Sequence, residues 1–382
     1  MKRADQSQLA HRCASCAQHG FTLIELMVGL VIGLVATIVI AQVLVRSESA
    51  RRSTVSGSDA QVSGALALYT LQRDVTMAGY GISSALAGLG CPVANSYNNA
   101  AVAGLIPTLA PVVITDGGAG VPATIGVVNS GKASYSVPVA VTSTANPIDT
   151  FFTVTSTLGT AVGDLMVAVP RTIDVNNWCS LFNVTGLNGA GQIRHVSGVG
   201  GAWNPAASIF PAAGYQAPGS YLINLGSFVQ RTYSISGNGT LQVTTIDSAN
   251  PTVPTTQDLV TDVVNMQALY GKDTNNDGVV DTYDTVTPTT NAGWQQVLSV
   301  RIAVVARSTQ REKAAEGNAT AANPLWDLGS TTTVTTNPAA LTVPCGTHTC
   351  VTLKVDTLPD WQQYRYKVYD TIVPLRNLLW RS

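Results

Sequence analysis

Residues 20–45 read G-F-T-L-I-E-L-M-V-G-L-V-I-G-L-V-A-T-I-V-I-A-Q-V-L-V, and the rest of the chain is understood from them. Twenty residues from Leu26 to Val45 carry no charge. At a helical rise of about 1.5 Å per residue such a run crosses a hydrocarbon core of about 30 Å. A secretory signal peptide has a shorter apolar run with a small-residue cleavage site behind it, whereas here Gly20, Thr22 and Glu25 stand in front. The apolar segment is therefore expected to stay in the mature protein as a membrane span. Glu25 is the exceptional residue, because a carboxylate at the mouth of an apolar helix costs about 2.5–3.5 kcal/mol and calls for a partner. A helix N-terminus would also favour it through the macrodipole.

A polar leader, Gly20, an aromatic Phe21 and then Thr-Leu-Ile-Glu-Leu resemble the class III signal of type IV pilins and type II secretion pseudopilins. The resemblance implies cleavage after Gly20 by a prepilin peptidase, N-methylation of Phe21, and pairing of Glu25 with the terminal amine of a neighbouring subunit. Two charges that are each costly in lipid offset one another only in register, so such a pair selects an assembly geometry. Gly29 and Gly33 form a G-x-x-x-G that permits close helix approach, although glycine is also common in spanning helices for no such reason.

Across 382 residues, 45% are apolar, 11% are charged and the net charge is −1. That balance gives no basis for direct nucleic-acid binding and excludes general disorder. Charged residues are replaced by Gly, Ser, Thr, Ala, Val and Asn, which suits an exported β-rich domain. Lys2, Arg3 and Arg12 precede the span and Arg46, Arg51 and Arg52 follow it, so the flanking charges nearly tie. Topology thus rests on the leader. Cys13 and Cys16 form a lone C-x-x-C inside that leader and carry no expected role.

Helical character continues from Arg46 to Met77, with Val62, Leu66, Tyr69 and Val75 as the expected apolar stripe and Arg51, Arg52, Arg73 and Asp74 expected to face water. Gly57 and Gly64 are expected to loosen or bend it, and Gly79 and Gly81 to end it. Leu71–Ile82, L-Q-R-D-V-T-M-A-G-Y-G-I, and Tyr364–Asn377, Y-R-Y-K-V-Y-D-T-I-V-P-L-R-N, are similar to minor pilins of the PilW type. The resulting plan is α+β: a leader over 1–20, the membrane-spanning half of a long pilin helix over 21–45, its periplasmic half over 46–79, and a mainly antiparallel β-rich globular head over 80–382.

Strands are expected at Phe151–Ser156, Leu165–Pro170, Tyr221–Leu225, Phe228–Ile235, Thr240–Thr245, Val264–Tyr270, Val297–Ala306 and Tyr364–Val373. Ser236-Gly237-Asn238-Gly239 reads as a hairpin turn, and Pro374 as the end of a sheet-edge strand. The alternation of Leu298, Val300, Ile302 and Val304 places one face in a core and Ser299 and Arg301 on the other. The Gly-, Ala-, Ser- and Asn-rich stretches Gly88–Pro147 and Thr185–Gly219 read either as exposed insertions that bind something or as long surface loops, and the second is preferred.

Cys91, Cys179, Cys345 and Cys350 remain after the leader, an even number that argues for two disulfides in an oxidising compartment. Of three connectivities, Cys345 with Cys350 and Cys91 with Cys179 is preferred; a zinc site has neither C-x-x-C spacing nor more than one nearby imidazole, His348. Residues 273–284, D-T-N-N-D-G-V-V-D-T-Y-D, can be written as a Ca²⁺ loop with Asp273, Asn275, Asp277, the Val279 carbonyl, Asp281 and Asp284 as ligands. The last ligand is Asp where Glu is usual and the flanks read as strands, so a plain Asp/Asn/Gly turn joining the strands at Tyr270 and Trp294 is the alternative. No hydrolase, protease or nucleotide-binding motif occurs, and His195 and His348 read as surface or loop residues.

The PilW resemblance implies a non-enzymatic minor pilin, held in the inner membrane with a periplasmic head and then assembled into a surface pilus. Its partners would be the prepilin peptidase, other minor and major pilins, and a tip adhesin. A minor pseudopilin of type II secretion and a calcium-dependent tip adhesin are the alternatives.

Overall fold

The computed structural model describes residues 21–105, 107–118, 121–132, 137–189, 191–197, 201–312, 320–330, 333–335 and 342–379. The leader, with Cys13, Cys16 and Gly20, lies outside them. One α-helix, α1, runs Leu23–Met77 without a break. The chain divides into two compact units, residues 1–54 and 55–382.

In the first unit, every described side chain from Phe21 to Glu48 is exposed. The segment Leu23–Glu48 is long and apolar enough to cross a membrane. Thr37 donates its hydroxyl to the Leu34 carbonyl at 2.8 Å, so the hydroxyl is satisfied within the helix.

Among its described residues the second unit holds three five-stranded sheets, mainly antiparallel. In the first, the order is Val93–Ala94, Cys179–Asn183, Leu165–Val169, Tyr221–Gly226, Val139–Ala140, with only the first pair parallel. The second runs Thr255–Thr261, Thr240–Asp247, Phe228–Ile235, Thr124–Ser130, Val112–Thr115. In the third the order is Thr333–Thr335, Thr282–Asp284, Val263–Lys272, Val297–Arg307, Tyr366–Pro374. Two three-stranded sheets accompany them. The Ser236–Gly239 hairpin forms, with Gly239 at φ +75°, and Pro374 ends an edge strand where its missing N–H breaks no ladder.

Four expectations are corrected here. Gly88–Pro147 and Thr185–Gly219 are not simple surface loops. The first contributes Thr124–Ser130 to the interior of the second sheet, and the second buries Trp203 and Tyr215. Their strands are short, and glycine and alanine pack closely while giving a loop-like composition. Val297–Arg307 is buried on both faces, Ser299 included: Val300, Ile302 and Val304 enter one core, Ala303 and Val305 another. Trp294 lies in a short helix, Asn291–Gln295, rather than starting a strand.

The fourth concerns α1 beyond Thr54. Its buried side chains are Ser56, Ala60, Ala67, Leu71, Asp74 and Val75, whereas Val62, Leu66 and Tyr69 are 65%, 48% and 63% exposed. Small residues form the inner face because the head approaches closely there. A Cβ on Gly64 would meet Tyr369 Cδ2 and Cε2 at only 2.3 Å. That glycine is thus a contact surface for the last strand, and the helix passes through it unbroken.

Candidate assembly sites

The N-terminus of α1 is built from Thr22 and Glu25. Glu25 N–H donates to Thr22 Oγ1 at 3.3 Å, while the Glu25 carboxylate accepts from Thr22 N at 3.4 Å and from Thr22 Oγ1 at 3.3 Å. This is a reciprocal capping box, legible in T-L-I-E but overlooked in favour of an intersubunit role for Glu25. Phe21 is 85% exposed just ahead of it. Gly29 and Gly33 face open space, with nothing within 4 Å of a hypothetical Cβ.

The other end of α1 is fastened by three contacts within the second unit. Asp74, expected at the surface, is only 4% exposed. Its carboxylate accepts from Tyr233 Oη at 2.5 Å, Arg231 Nη1 at 2.9 Å and Arg73 Nε at 3.1 Å. The Tyr233 phenol is pushed above its ordinary pKa, first by burial and then by donating to this carboxylate, and the Arg73 guanidinium is raised chiefly by its hydrogen bond to Asp74. Gly64 receives Tyr369, as above. Finally, Asn377 Nδ2 donates to the carbonyls of Ala78 at 2.9 Å and Met77 at 3.3 Å, satisfying acceptors that a helix C-terminus leaves open. Gly79 follows at φ +76°, with its N–H on the Val128 carbonyl. The sequence patches Leu71–Ile82 and Tyr364–Asn377 therefore meet in space.

Both disulfides have the preferred connectivity, Cys91–Cys179 and Cys345–Cys350. The first ties the chain beside the parallel strand pair of the first sheet, with both cysteines buried. The second closes the hairpin Thr342–Cys345/His348–Thr352. Among the described residues, Asp327, Cys345 and Cys350 bring ligand-type atoms within 4.8 Å of one another, but the sulfurs are spent on each other. His348 is exposed, and its Nδ1 lies 2.8 Å from Asp327 Oδ2, a contact that lowers the Asp327 pKa. His195, by contrast, is no surface residue: it is 8% exposed among Phe152, Phe182 and Phe210.

The acidic loop links Val263–Lys272 to Thr282–Asp284 in the third sheet. Asp273 is buried, and its carboxylate accepts from the N–H groups of Asn276, Asp277 and Gly278. Gly278 stands at φ +86° and Asn276 at φ +64°. Asn275 Oδ1 accepts from Asp277 N, and Asp277 Oδ1 from Val279 N. Asp281 accepts from Thr274 N and Oγ1, and the backbone hydrogen bond leads in lowering its pKa. Asp284 lies at the strand end, ion-paired with Lys272 at 2.7 Å. The structure thus gathers Asp273, Asn275, Asp277 and Asp281 on one loop and gives Asp284 a lysine partner.

Two family models match these parts. Residues 16–41 match the prokaryotic N-terminal methylation motif, which places the chain among proteins with a type IV prepilin leader. Residues 228–377 match the Type IV Pilus-assembly protein W family, and the two matches together support a PilW-like type IV pilin. No curated protein and no solved structure matches it. The PilW match contains Arg231, Tyr233, Tyr369 and Asn377, the partners that hold the end of α1. It begins at Phe228, so the first sheet lies outside it.

Proposed function

We propose that the chain is a minor subunit of a type IV pilus that co-assembles with other minor and major pilins to initiate or cap the filament. The observation that carries this reading is the exposed stripe Val55, Val62, Leu66 and Tyr69 on the head-bearing part of α1. These residues recur at helical spacing on one side of the helix, and large apolar side chains aligned in this way are the surface of a helix awaiting neighbours. In a PilW-like pilin, the neighbours are helices of other pilins. Prepilin peptidase cleaves after Gly20, Phe21 is methylated, and the carboxylate of Glu25 leaves its capping box to pair with a neighbour's terminal amine. The subunit waits in the inner membrane with its head in the periplasm and is then drawn into the pilus, supporting twitching motility, adhesion and contact with a tip adhesin. It performs no catalysis.

The test is a Val62→Asp/Leu66→Asp variant in the native host. Normal membrane levels with loss of the subunit from sheared pili, and loss of twitching, are expected; unchanged incorporation removes the reading. A deletion strain that keeps its pili and loses protein secretion would instead assign the chain to type II secretion.

We further propose a weak Ca²⁺ site in the 273–281 loop, with Asp273, Asn275, Asp277, the Val279 carbonyl and Asp281 as ligands. The support is the turn already wound around Asp273 by three N–H groups, with Gly278 in the left-handed conformation. Concentrated carboxylates repel each other until a hard divalent cation reverses the sign.

A further inference from the structure

The chain contains two Asn-Gly dipeptides, Asn188-Gly189 and Asn238-Gly239, and the fold treats them differently. In such a pair the glycine nitrogen reaches the asparagine side-chain carbonyl carbon by closing a five-membered ring, and glycine has no Cβ to obstruct the approach. Reaction then depends on whether that nitrogen is free and whether the backbone beside it can turn.

Both asparagines are exposed, but the two glycines are not alike. Gly239 is buried, and its N–H donates to the Ser236 carbonyl at 3.0 Å. Thr240 N–H is held in turn by Ser236 Oγ at 3.1 Å, and a Cβ on Gly239 would lie 3.0 Å from Val264 Cγ1. Taking the proton from that N–H would leave a negative nitrogen facing a carbonyl oxygen, and turning the peptide would break the bond. Gly189 is exposed at φ +57°, with open space around a hypothetical Cβ. Its N–H makes no hydrogen bond among the described residues. Asn188 ends the edge strand Gly186–Asn188, paired with Gln192–Arg194. Its Nδ2 donates to Gln192 Oε1 at 3.0 Å, an exposed contact that water replaces at little cost.

We propose that Asn188 is a site of self-modification, converted by Gly189 to an aspartyl or isoaspartyl residue, while Asn238 in the same dipeptide is kept. The Gly189 nitrogen gives its proton to solvent base and bonds to Asn188 Cγ. The Cγ–Nδ2 bond breaks, and ammonia leaves with a proton from water. A cyclic succinimide remains. Water then opens the ring: cleavage of the new nitrogen–Cγ bond gives aspartate, and cleavage of the original peptide bond gives isoaspartate. Nothing is oxidised or reduced. Both products add one negative charge at the end of the edge strand, and isoaspartate also lengthens the main chain by one carbon where the hairpin turns. Asn188 lies outside both family matches, so the inference does not rest on the assembly reading.

The test incubates the full chain, in detergent micelles, in heavy-oxygen water at mildly alkaline pH, with pepsin digestion in acid and fragment mass spectrometry to place the label. In the folded chain, label should enter at Asn188 at least about fivefold faster than at Asn238, the worth of roughly one hydrogen bond. In urea the two sites should convert at roughly equal rates, because the turn that protects Asn238 is gone. Asn188→Gln, which must close a larger ring, should remove the labelled product and leave the thermal melt unchanged. A smaller folded-state ratio would overturn the proposal. So would the absence of label at Asn188 in the folded chain over the time in which the unfolded chain converts.

Discussion

Replacing Asp74 with alanine removes the one carboxylate on which Tyr233, Arg231 and Arg73 converge, and the three losses are unequal. Tyr233 is 2% exposed, so its hydroxyl is left buried without an acceptor, at about 1–3 kcal/mol. The Arg231 side chain is 39% exposed and rehydrates, so its lost ion pair adds only about 0.5–1 kcal/mol. At 61% exposure, Arg73 adds nothing measurable. The sum is about 1.5–4 kcal/mol, a large fraction of the stability of an ordinary domain. Urea unfolding followed by tyrosine and tryptophan near-UV signals reads it directly. A double-mutant cycle with Tyr233→Phe isolates the charge-assisted bond, for which about 1.5–3 kcal/mol of coupling is expected. The reasoning is refuted if Asp74→Ala costs under about 1 kcal/mol, or if the two substitutions add to within about 0.5 kcal/mol.

Gly64→Leu should weaken docking of α1 on the last strand by about 1–3 kcal/mol through overpacking against Tyr369, and Tyr369→Ala should recover part of that loss in the same melts. His195 titrates near 6.5 when unfolded and about 4 when folded, so the unfolded state binds the extra proton first; stability is full above pH 6.5 and falls by about 3 kcal/mol on acidification through pH 4. His195→Phe should flatten that pH profile in acid melts, and an unchanged slope would assign it elsewhere. Opening Cys91–Cys179, which spans 88 residues, should cost about 4–5 kcal/mol by loop entropy against about 2 kcal/mol for the five-residue Cys345–Cys350 loop. Graded reduction with thiol mapping should open the partly exposed hairpin pair first. Millimolar Ca²⁺ should raise the melting temperature, and Asp277→Ala should remove the rise; identical melts in Ca²⁺ and chelator would reduce the loop to a turn.

The membrane half of α1 was fully legible because one local property decides it: from Leu26 to Val45 no side chain bears a charge, and an unbroken apolar run of that length has few alternatives to a spanning helix. The strands flanking Ser236–Gly239, the edge strand ending at Pro374 and the Cys345–Cys350 pairing were equally local, set by alternation, turn chemistry and chain distance. Past Thr54, the sequence offered two faces of one helix, and hydrophobicity picked the wrong one. Val62, Leu66 and Tyr69 are the bulkier set, yet Ala60, Gly64, Ala67 and Leu71 face inward; at Gly64 the approach of Tyr369 leaves no room for a Cβ, and that approach belongs to a strand some three hundred residues away. Asp74 looked like a surface charge for the same reason: its partners Arg231 and Tyr233 become neighbours only when the second sheet forms. A sequence fixes what each residue can do within a few positions of itself; which polar group is buried, and which apolar face is left for a partner, is decided by packing over distances that local pattern does not carry.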